Sequence, residues 1–281
     1  MPFLWQGSGV VSGGVLGRMM SDRQQERSER VRSSKGWPIS STFLALIAAF
    51  LLCAVWMIYR PDHARVLVFP FVMIGFVIAL CLHEFGHAVV AYHCGDTTVR
   101  EKGYLTLDPL RYTDLQYSII FPLLIMAIGG IGLPGGAVYI NTLHLRRRIY
   151  GALVSAGGPL GTAVVLAVLM ALLNAATPVA GGILYAALAF LALLQVTVLV
   201  FNLVPCPGLD GWGIVEPFLP AGVRRLGRRM APLGPLVLVA VLFFVPGVSR
   251  WFWTSVFAAC GLIGLDAKAA LAGLRLFQFW Q

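Results

Sequence analysis

Two imidazoles and one carboxylate lie within five residues in the pattern His83-Glu84-Phe85-Gly86-His87. On a helix, positions i and i+4 lie on one face, so His83 and His87 can point at one metal ion with Glu84 beside them. Two histidines at this spacing bind zinc in many helical sites, where the adjacent glutamate handles protons during hydrolysis. The spacing therefore predicts half of a zinc site with a base next to it.

The pattern lies inside an apolar run from about Val66 to Tyr92, which has no other charged residue up to Ala91. The run is long enough to cross a bilayer, since a span needs about 20 apolar residues. Ionisable residues at membrane depth are costly and mark functional sites by default. Because a buried glutamate without a partner is unfavourable, a divalent cation explains these three residues better than a pair of packed histidines does.

The composition excludes an ordinary soluble protein. Of 281 residues, 58% are hydrophobic and 12% are charged, whereas about a quarter of a soluble domain is charged. The formal charge of +9 comes from basic residues beside apolar runs, where they set membrane topology. We therefore expect a lipid bilayer around the chain and no nucleic-acid partner.

The fold class predicted is an all-α polytopic membrane protein with about six transmembrane helices. Residues 1–41 include the polar and basic stretch SDRQQERSERVRSSKG, which predicts a disordered cytoplasmic tail, and 42–281 form the membrane domain. In the loop after the second span, the alternation over 104–107 predicts a short strand. The predicted spans are about 42–59, 66–92, 150–174, 183–204 and two short ones within 233–265.

The segment near 115–141 is apolar but is broken by Pro122 and by glycines, which predicts a re-entrant element. If the N-terminal tail is cytoplasmic and this segment does not cross, 18 of the 21 Lys and Arg residues lie on the cytoplasmic side. The positive-inside rule favours that arrangement, with both termini in the cytoplasm. The three basic residues left outside are Arg60, Arg65 and Arg250.

This topology predicts a third metal ligand. The second span and the 183–204 span run in the same direction, so Asp210, just beyond the second of them, lies at the depth of His83 and His87. A catalytic zinc takes three protein ligands and keeps one open position. Asp210-Gly211 alone would be read as an ordinary turn. The five cysteines have no CxxC spacing and predict neither disulfides nor a cysteine-based zinc site.

The two motifs together resemble the site-2 protease family of intramembrane zinc metalloproteases. The first is the HExxH pattern at 83–87, and the second is Asn202…Pro205…Leu209-Asp210-Gly211. The family's A-G-P-x-x-N pattern is matched loosely by residues 156–162, with Thr162 where the family usually has Asn. The resemblance covers about 66–218, which we take as the catalytic core.

The resemblance implies one zinc per chain, held by His83, His87 and Asp210, with Glu84 as the catalytic base. It implies that Asn202 stabilises the oxyanion of the tetrahedral intermediate, although Asn202 could equally cap the end of its helix. It also implies a membrane peptide substrate, cleaved near the cytoplasmic face. A β-hairpin in the 115–141 segment, with its strand at 137–140, would pair with the unwound substrate. A plain glycine-rich linker is the alternative.

Two other functions remain open. A zincin of the prenyl-protein or chaperone-associated type would need a glutamate as its third zinc ligand. The only glutamates after Glu84 are Glu101 and Glu216. A zinc-binding membrane protein without catalysis, such as a scaffold or a transporter, is the alternative from another class, but transporters usually show polar residues in several spans. His93 points away from the helix face of His87, and His63 and His144 lie in loops. The short chain favours a bacterial inner membrane.

Overall fold

The computed structural model describes residues 39–60, 62, 64–111, 147, 149–176 and 182–278. These residues contain helices and no strand, which confirms the all-α prediction. In chain order the helices are α1 (Ser41–Tyr59), α2 (Ala64–His93), α3 (Thr98–Glu101), α4 (Tyr150–Ala175), α5 (Ile183–Asn202), α6 (Asp210–Val215), α7 (Ala221–Met230), α8 (Gly234–Phe244), α9 (Pro246–Leu262) and α10 (Ala267–Phe277). The predicted re-entrant segment at 115–141 and the N-terminal tail lie outside the described residues.

Four of these helices, α1, α2, α4 and α5, are long and apolar enough to cross a membrane. The number rises to six if α7 with α8 and α9 with α10 each count as one bent span. Local signals explain the boundaries. Ser40 Oγ accepts the amide of Phe43 at 3.1 Å and caps α1. Pro205 and Pro207 stop α5, because proline cannot donate the backbone hydrogen bond that a helix needs.

The helix α5 forms the centre of the bundle. Every residue from 186 to 198 is buried. Its phenylalanine rings pack against rings of other helices, Phe190 at a tilt against Phe277 and Phe201 edge-on against Phe252. The helix α1, by contrast, buries only Phe43 and Met57. The helix α1 therefore lies at the periphery of the bundle, where its exposed apolar side chains would face lipid, and α5 supplies the core.

Glycines bring α2 and α4 into direct backbone contact. A Cβ at Gly86 would overlap the carbonyl oxygen of Gly157, and a Cβ at Gly161 would lie 2.5 Å from the carbonyl oxygen of Leu82. Small residues at such crossings allow transmembrane helices to approach closely. The consequence is that the backbone of α4 packs against the turn of α2 that carries His83 and His87.

The predicted strand at 104–107 is wrong. Tyr104–Thr106 is a turn of 3-10 helix, and Leu107 has a positive φ of 56°. Thr106 donates its side-chain hydroxyl to the carbonyl of Gly103 at 2.7 Å, and its amide bonds to the same carbonyl. These local hydrogen bonds close a turn and compete with extended backbone, a competition that the alternation of apolar residues does not reveal.

The break predicted within 233–265 is present, since α8 ends at Phe244 and α9 begins at Pro246. However, α8 has 11 residues and is about 16 Å long, too short to cross a core of about 30 Å. The ring of Phe252 in α9 lies 6.3 Å from that of Phe201. The start of α9, with Arg250, therefore lies at the Asn202 end of α5. The count of basic residues predicts the opposite end for Arg250, so that prediction is wrong.

The helix α10 was not predicted, and it packs at the other end of α5. Gly273 lies against the carbonyl of Ala186, and Phe277 stacks on Phe69 at 5.0 Å. Phe69 and Ala186 belong to the first turns of α2 and α5, far from Asn202. This packing differs from the prediction that the C-terminal segment lies at the Asn202 end. The sequence did not reveal this amphipathic helix, because its 11 residues are too few for a transmembrane span.

Candidate metal centre

The three predicted ligands come together in the structure. The Nε2 atoms of His83 and His87 are 3.2 Å apart. The Asp210 carboxylate faces both rings, with Oδ2 at 3.2 Å from His83 Nε2 and Oδ1 at 3.2 Å from His87 Nε2. Among the described residues, these three form the one group of His, Cys, Asp and Glu side chains close enough to hold a metal ion.

These spacings fit a zinc ion. Zinc binds nitrogen and oxygen ligands at about 2.0–2.2 Å in tetrahedral geometry, so neighbouring ligand atoms lie about 3.3–3.5 Å apart. The three separations of 3.2 Å are close to that edge length. A calcium site would need six to eight oxygen ligands, and two imidazoles with one carboxylate do not supply them.

Hydrogen bonds on the far side of each ring leave the facing nitrogens free to bind a metal. His87 Nδ1 lies 2.8 Å from the carbonyl oxygen of Val154. A carbonyl only accepts, so Nδ1 carries the proton and Nε2 carries a lone pair. The amide of Gly158 is 3.3 Å from the same Nδ1, and the shorter contact decides its role. His83 Nδ1 lies 2.9 Å from Thr162 Oγ1, which can accept in the same way.

A glycine of α4 leaves the space in which the ligands meet. A Cβ added to Gly158 would overlap His87 Nε2 and lie 2.5 Å from His83 Nε2. In addition, Asp210 Oδ2 is buried with no hydrogen-bond donor among the described residues. The lone pairs of His83, His87 and Asp210 face one another in the space that Gly158 leaves, and they need a cation between them. The set of ligand atoms and the space both fit zinc.

The loop between α5 and α6 positions Asp210. Gly208 adopts a φ of 95°, which glycine tolerates, and Gly211 packs on the carbonyl oxygen of Leu203, where a Cβ would not fit. A Cβ at Gly213 would likewise overlap Ser155 Oγ on α4. The loop is thus folded back onto α5, and α6 is packed against α4. Asp210 keeps 18% of its side chain exposed, which leaves an approach from the end of the bundle.

The electrostatics favour the ionised form of Asp210. Burial acts to raise the pKa of this carboxyl, but the two adjacent imidazoles, which are cations when protonated, lower it more strongly. The pKa therefore lies below its usual range. A metal cation in place of those protons acts in the same direction, so the carboxylate is ready to serve as a ligand.

Glu84 and Asn202 are both buried, and each lies near one of the two histidines. Glu84 is 3% exposed, and its carboxylate is near enough to His87 to interact electrostatically with that ring. Asn202 is 4% exposed and lines a small cavity together with His83. Their roles as catalytic base and oxyanion donor stay predictions.

The other sequence candidates lie apart from this group. Glu216 accepts a hydrogen bond from Arg228 at 2.6 Å, and Glu101 is exposed on α3. Neither glutamate is therefore the third zinc ligand that the other zincin types need. His93 contacts the carbonyl of Val89 on its own helix. Burial raises the pKa of the Cys206 thiol, which disfavours the thiolate that binds metals. His63 and His144 lie outside the described residues.

Thr162 is a functional candidate that the sequence left in doubt. It is 1% exposed and contacts His83 Nδ1 at 2.9 Å. Groups that hold the outer nitrogen of a ligating histidine fix its tautomer and orientation. The loose match of residues 156–162 to the family pattern already marked this position. Thr162 counted there as a mismatch to Asn, although its hydroxyl can hold the ring of His83. Gln195 is also buried in α5, and one glutamine in an apolar span has no spacing pattern that would mark it in the sequence.

The names of similar proteins agree with a zinc-binding site. The chain is 42% identical over 213 residues to a protein of Mycolicibacterium smegmatis named "putative zinc metalloprotease Rip2", covering 76% of this chain and 82% of the relative. The Rip2 protein of Mycobacterium tuberculosis is 42% identical over 217 residues, with the same coverage. A protein of Bacillus subtilis named "putative zinc metalloprotease YwhC" is 30% identical over 192 residues, covering 66% of this chain and 84% of the relative. No protein-family model and no solved structure matches the chain.

The chain belongs to the site-2 protease family of zinc metalloproteases. It is therefore a zinc metalloprotease with zinc as its cofactor, and its spanning helices make it a multi-pass membrane protein. Its substrate is a peptide or a protein.

The contact between Thr162 and His83 gives a first testable prediction. Thr162→Val keeps the shape of the side chain but removes the acceptor for His83 Nδ1–H. Loss of such an outer partner typically lowers metal affinity about 10–100-fold. Zinc titration of the chelator-treated protein checks this. Thr197→Val is the matched control, because Thr197 is equally buried but bonds to Leu193 on its own helix. Equal zinc affinity for both variants and wild type would contradict the role of Thr162.

Proposed function

We propose that this protein is an intramembrane zinc endopeptidase, which cleaves transmembrane or membrane-associated peptide segments near the cytoplasmic face. The observation that carries the proposal is the position of the ligands. His83 and His87 are buried in a membrane-spanning helix, and Asp210 completes their group from the start of α6, eight residues beyond the end of α5. A substrate that reaches this group must therefore enter among the spans, at the end of the bundle where Asp210 is partly exposed.

In the proposed mechanism, His83, His87 and Asp210 hold the zinc, which when bound supplies a Lewis acid that activates water and polarises a scissile carbonyl. Glu84 takes the proton of the attacking water and passes it to the leaving amine. Asn202 donates its side-chain amide to the developing oxyanion. Thr162 and the carbonyl of Val154 hold the outer nitrogens of the rings, so the two histidines keep the tautomer that binds zinc.

The sequence alone left open a zinc-binding membrane protein without proteolytic activity. Two observations stand against it. Glu84 is buried beside the ligands, although a structural zinc site has no use for a base there. The buried polar side chains of the spans also concentrate around His83, as Thr162, Gln195 and Asn202 do. A transport pathway would instead distribute polar groups along the membrane.

The setting of the proposed protease is a cell membrane, and the bacterial sources of its relatives support a bacterial inner membrane. Residues 1–41 would form the cytoplasmic tail and 42–281 the membrane domain. The basic residues Arg224, Arg225, Arg228 and Arg229 on α7 follow Asp210 closely in the chain, which supports a cytoplasmic position for this end of the bundle.

The position of cleavage tests the proposal. Purified protein is reconstituted in liposomes with a substrate that has one transmembrane segment and a soluble tag at each end. Mass spectrometry of the products should locate the cut inside the apolar segment or at its cytoplasmic border, and 1,10-phenanthroline should stop it. Cleavage only in the soluble tags would refute intramembrane proteolysis. A second experiment uses Glu84→Gln to trap membrane peptides in the native cell. If the wild-type protein binds one zinc per chain but does not cleave these peptides, the result would favour the non-catalytic alternative.

A further inference from the structure

The helix α7 is amphipathic, with its basic and apolar side chains on opposite faces. At about 100° per residue, its arginines lie within an arc of about 140°. Val223, Leu226 and Met230 lie within an arc of about 60° on the opposite side. The arginines of the basic face are Arg224, Arg225, Arg228 and Arg229. This division is typical of helices that lie in the plane of a membrane interface.

The apolar face of α7 is left uncovered by the part of the chain that the structure describes. Val223 is 44% exposed, Leu226 is 61% exposed and Met230 is 43% exposed. The helix packs along one edge, where a Cβ at Gly227 would overlap the ring of Trp212 on α6. Bulk water disfavours the apolar face, and hydrocarbon disfavours the arginines. The boundary between water and lipid suits both faces.

The connection to α8 is consistent with that boundary. The helix α8 is apolar, with Phe243 and Phe244 exposed, and it is bent by 75° from α7. The basic helix therefore does not continue α8 as one straight span. A Cβ at Gly234, where α8 begins, would overlap the carbonyl oxygen of Pro207, in the loop that leads to Asp210. The junction of α7 and α8 is thus at the Asp210 end of the bundle.

The charge of α7 indicates what the boundary must supply. Arg228 donates to Glu216 at 2.6 Å. Arg224, Arg225 and Arg229 have no acidic partner among the described residues, and the last two are exposed. A guanidinium matches phosphate oxygens with paired hydrogen bonds. A row of such groups at the level of lipid headgroups therefore complements anionic phospholipids.

We propose that α7 is a binding surface for anionic phospholipids, with its arginines on the lipid phosphates and its apolar face among the acyl chains. Because Gly227 packs on Trp212, two residues beyond Asp210, the lipids are bound beside the helix that carries the third metal ligand. The inference goes beyond the proposed proteolysis and does not depend on it, since lipid binding needs neither a substrate nor cleavage.

Native mass spectrometry of the purified, zinc-loaded protein tests this binding by titration with phosphatidylglycerol or phosphatidylcholine. The wild type should bind phosphatidylglycerol at least about tenfold more tightly, since each basic residue near an anionic surface contributes a factor of about five. A triple variant should lose this preference; it combines Arg224→Gln, Arg225→Gln and Arg229→Gln. Equal affinity of the wild type for both lipids, or an undiminished preference in the triple variant, would overturn the inference.

Three controls accompany the triple variant. Replacement of the same three arginines by lysine keeps the charge and should retain most of the preference. The same loss of charge at exposed residues outside α7 should leave the preference intact; this control combines Arg60→Gln, Arg65→Gln and Lys268→Gln. If this control also loses the preference, net charge and not α7 selects the lipid. Excess glycerol phosphate, which lacks acyl chains, should not displace the lipid, and displacement would assign the arginines to a soluble anion instead.

Spin labels on the two faces of α7 test its position in the membrane. The labels are attached to Arg225→Cys and Met230→Cys, which lie about 140° apart on the helix, in a background without the five native cysteines. In liposomes, the label at 230 should be more accessible to oxygen, which concentrates in lipid, and the label at 225 to a water-soluble nickel chelate. Equal access of the chelate to both labels would place α7 in water and overturn the inference.

Discussion

Glu84→Gln is expected to abolish measurable peptide cleavage while the protein keeps its zinc. The amide has the size of the carboxylate but cannot take a proton from water, and general acid–base catalysis contributes about 10²–10⁴-fold to hydrolysis. Glu84 is not one of the three residues whose ligand atoms converge, so the zinc content should stay at one per chain. Cleavage rate and metal content, measured on the same purified sample, check the two halves of this prediction.

Glu101→Gln is the matched control, since the same change occurs at an exposed residue of α3 away from the ligands. It should leave both cleavage and zinc content unchanged. Undiminished proteolysis by Glu84→Gln would show that another group takes the proton, and loss of zinc would show that Glu84 holds the metal and not only the proton.

Gly158→Ala is expected to prevent zinc binding without removing any ligand. The new methyl group would overlap His87 Nε2 and crowd His83 Nε2. The rings would have to rotate or α4 would have to withdraw from α2, and either movement separates the ligand atoms. We expect zinc affinity to fall by more than about 100-fold, beyond the usual effect of losing an outer hydrogen bond. Equilibrium competition with a fluorescent zinc chelator measures the affinity.

Gly151→Ala provides the control on the same helix. Its Cβ would meet nothing closer than 3.9 Å, at Pro217, and alanine is the better helix former at a compatible site. Zinc affinity should be unchanged and the melting temperature equal or higher. If Gly158→Ala binds zinc as tightly as Gly151→Ala does, the metal is not held between α2, α4 and Asp210 as the ligand geometry requires.

The sequence was sufficient to predict that His83, His87 and Asp210 lie together, because their positions follow from rules that act over short distances. The spacing of His83 and His87 fixes a shared helix face, and the apolar spans bring the Asp210 turn to the same end of the bundle. Both predictions agree with the structure, where all three ligand contacts are 3.2 Å. The four long spans also begin and end within two residues of the predicted limits, since length and hydropathy determine them.

What the sequence could not predict depends on packing between distant segments. The cradle at Gly158 and the contact of Thr162 with His83 exist only because glycines let α4 approach α2. The orphan donor of Gln195 becomes visible only when its neighbours are known. The C-terminal helices were misplaced because basic residues bias the topology of a whole chain, whereas Arg250 and α10 are positioned by the aromatic contacts of Phe252 and Phe277.

X-ray absorption at the zinc edge of the purified wild-type protein tests the central claim most directly. The site of His83, His87 and Asp210 predicts a four-coordinate zinc with nitrogen and oxygen neighbours at about 2.0–2.2 Å, two of them with the outer scattering of imidazole. Asp210→Ala should lose most of the bound zinc. A sulfur shell near about 2.3 Å would assign the metal to cysteines instead, and that result, or full zinc retention by Asp210→Ala, would contradict the account.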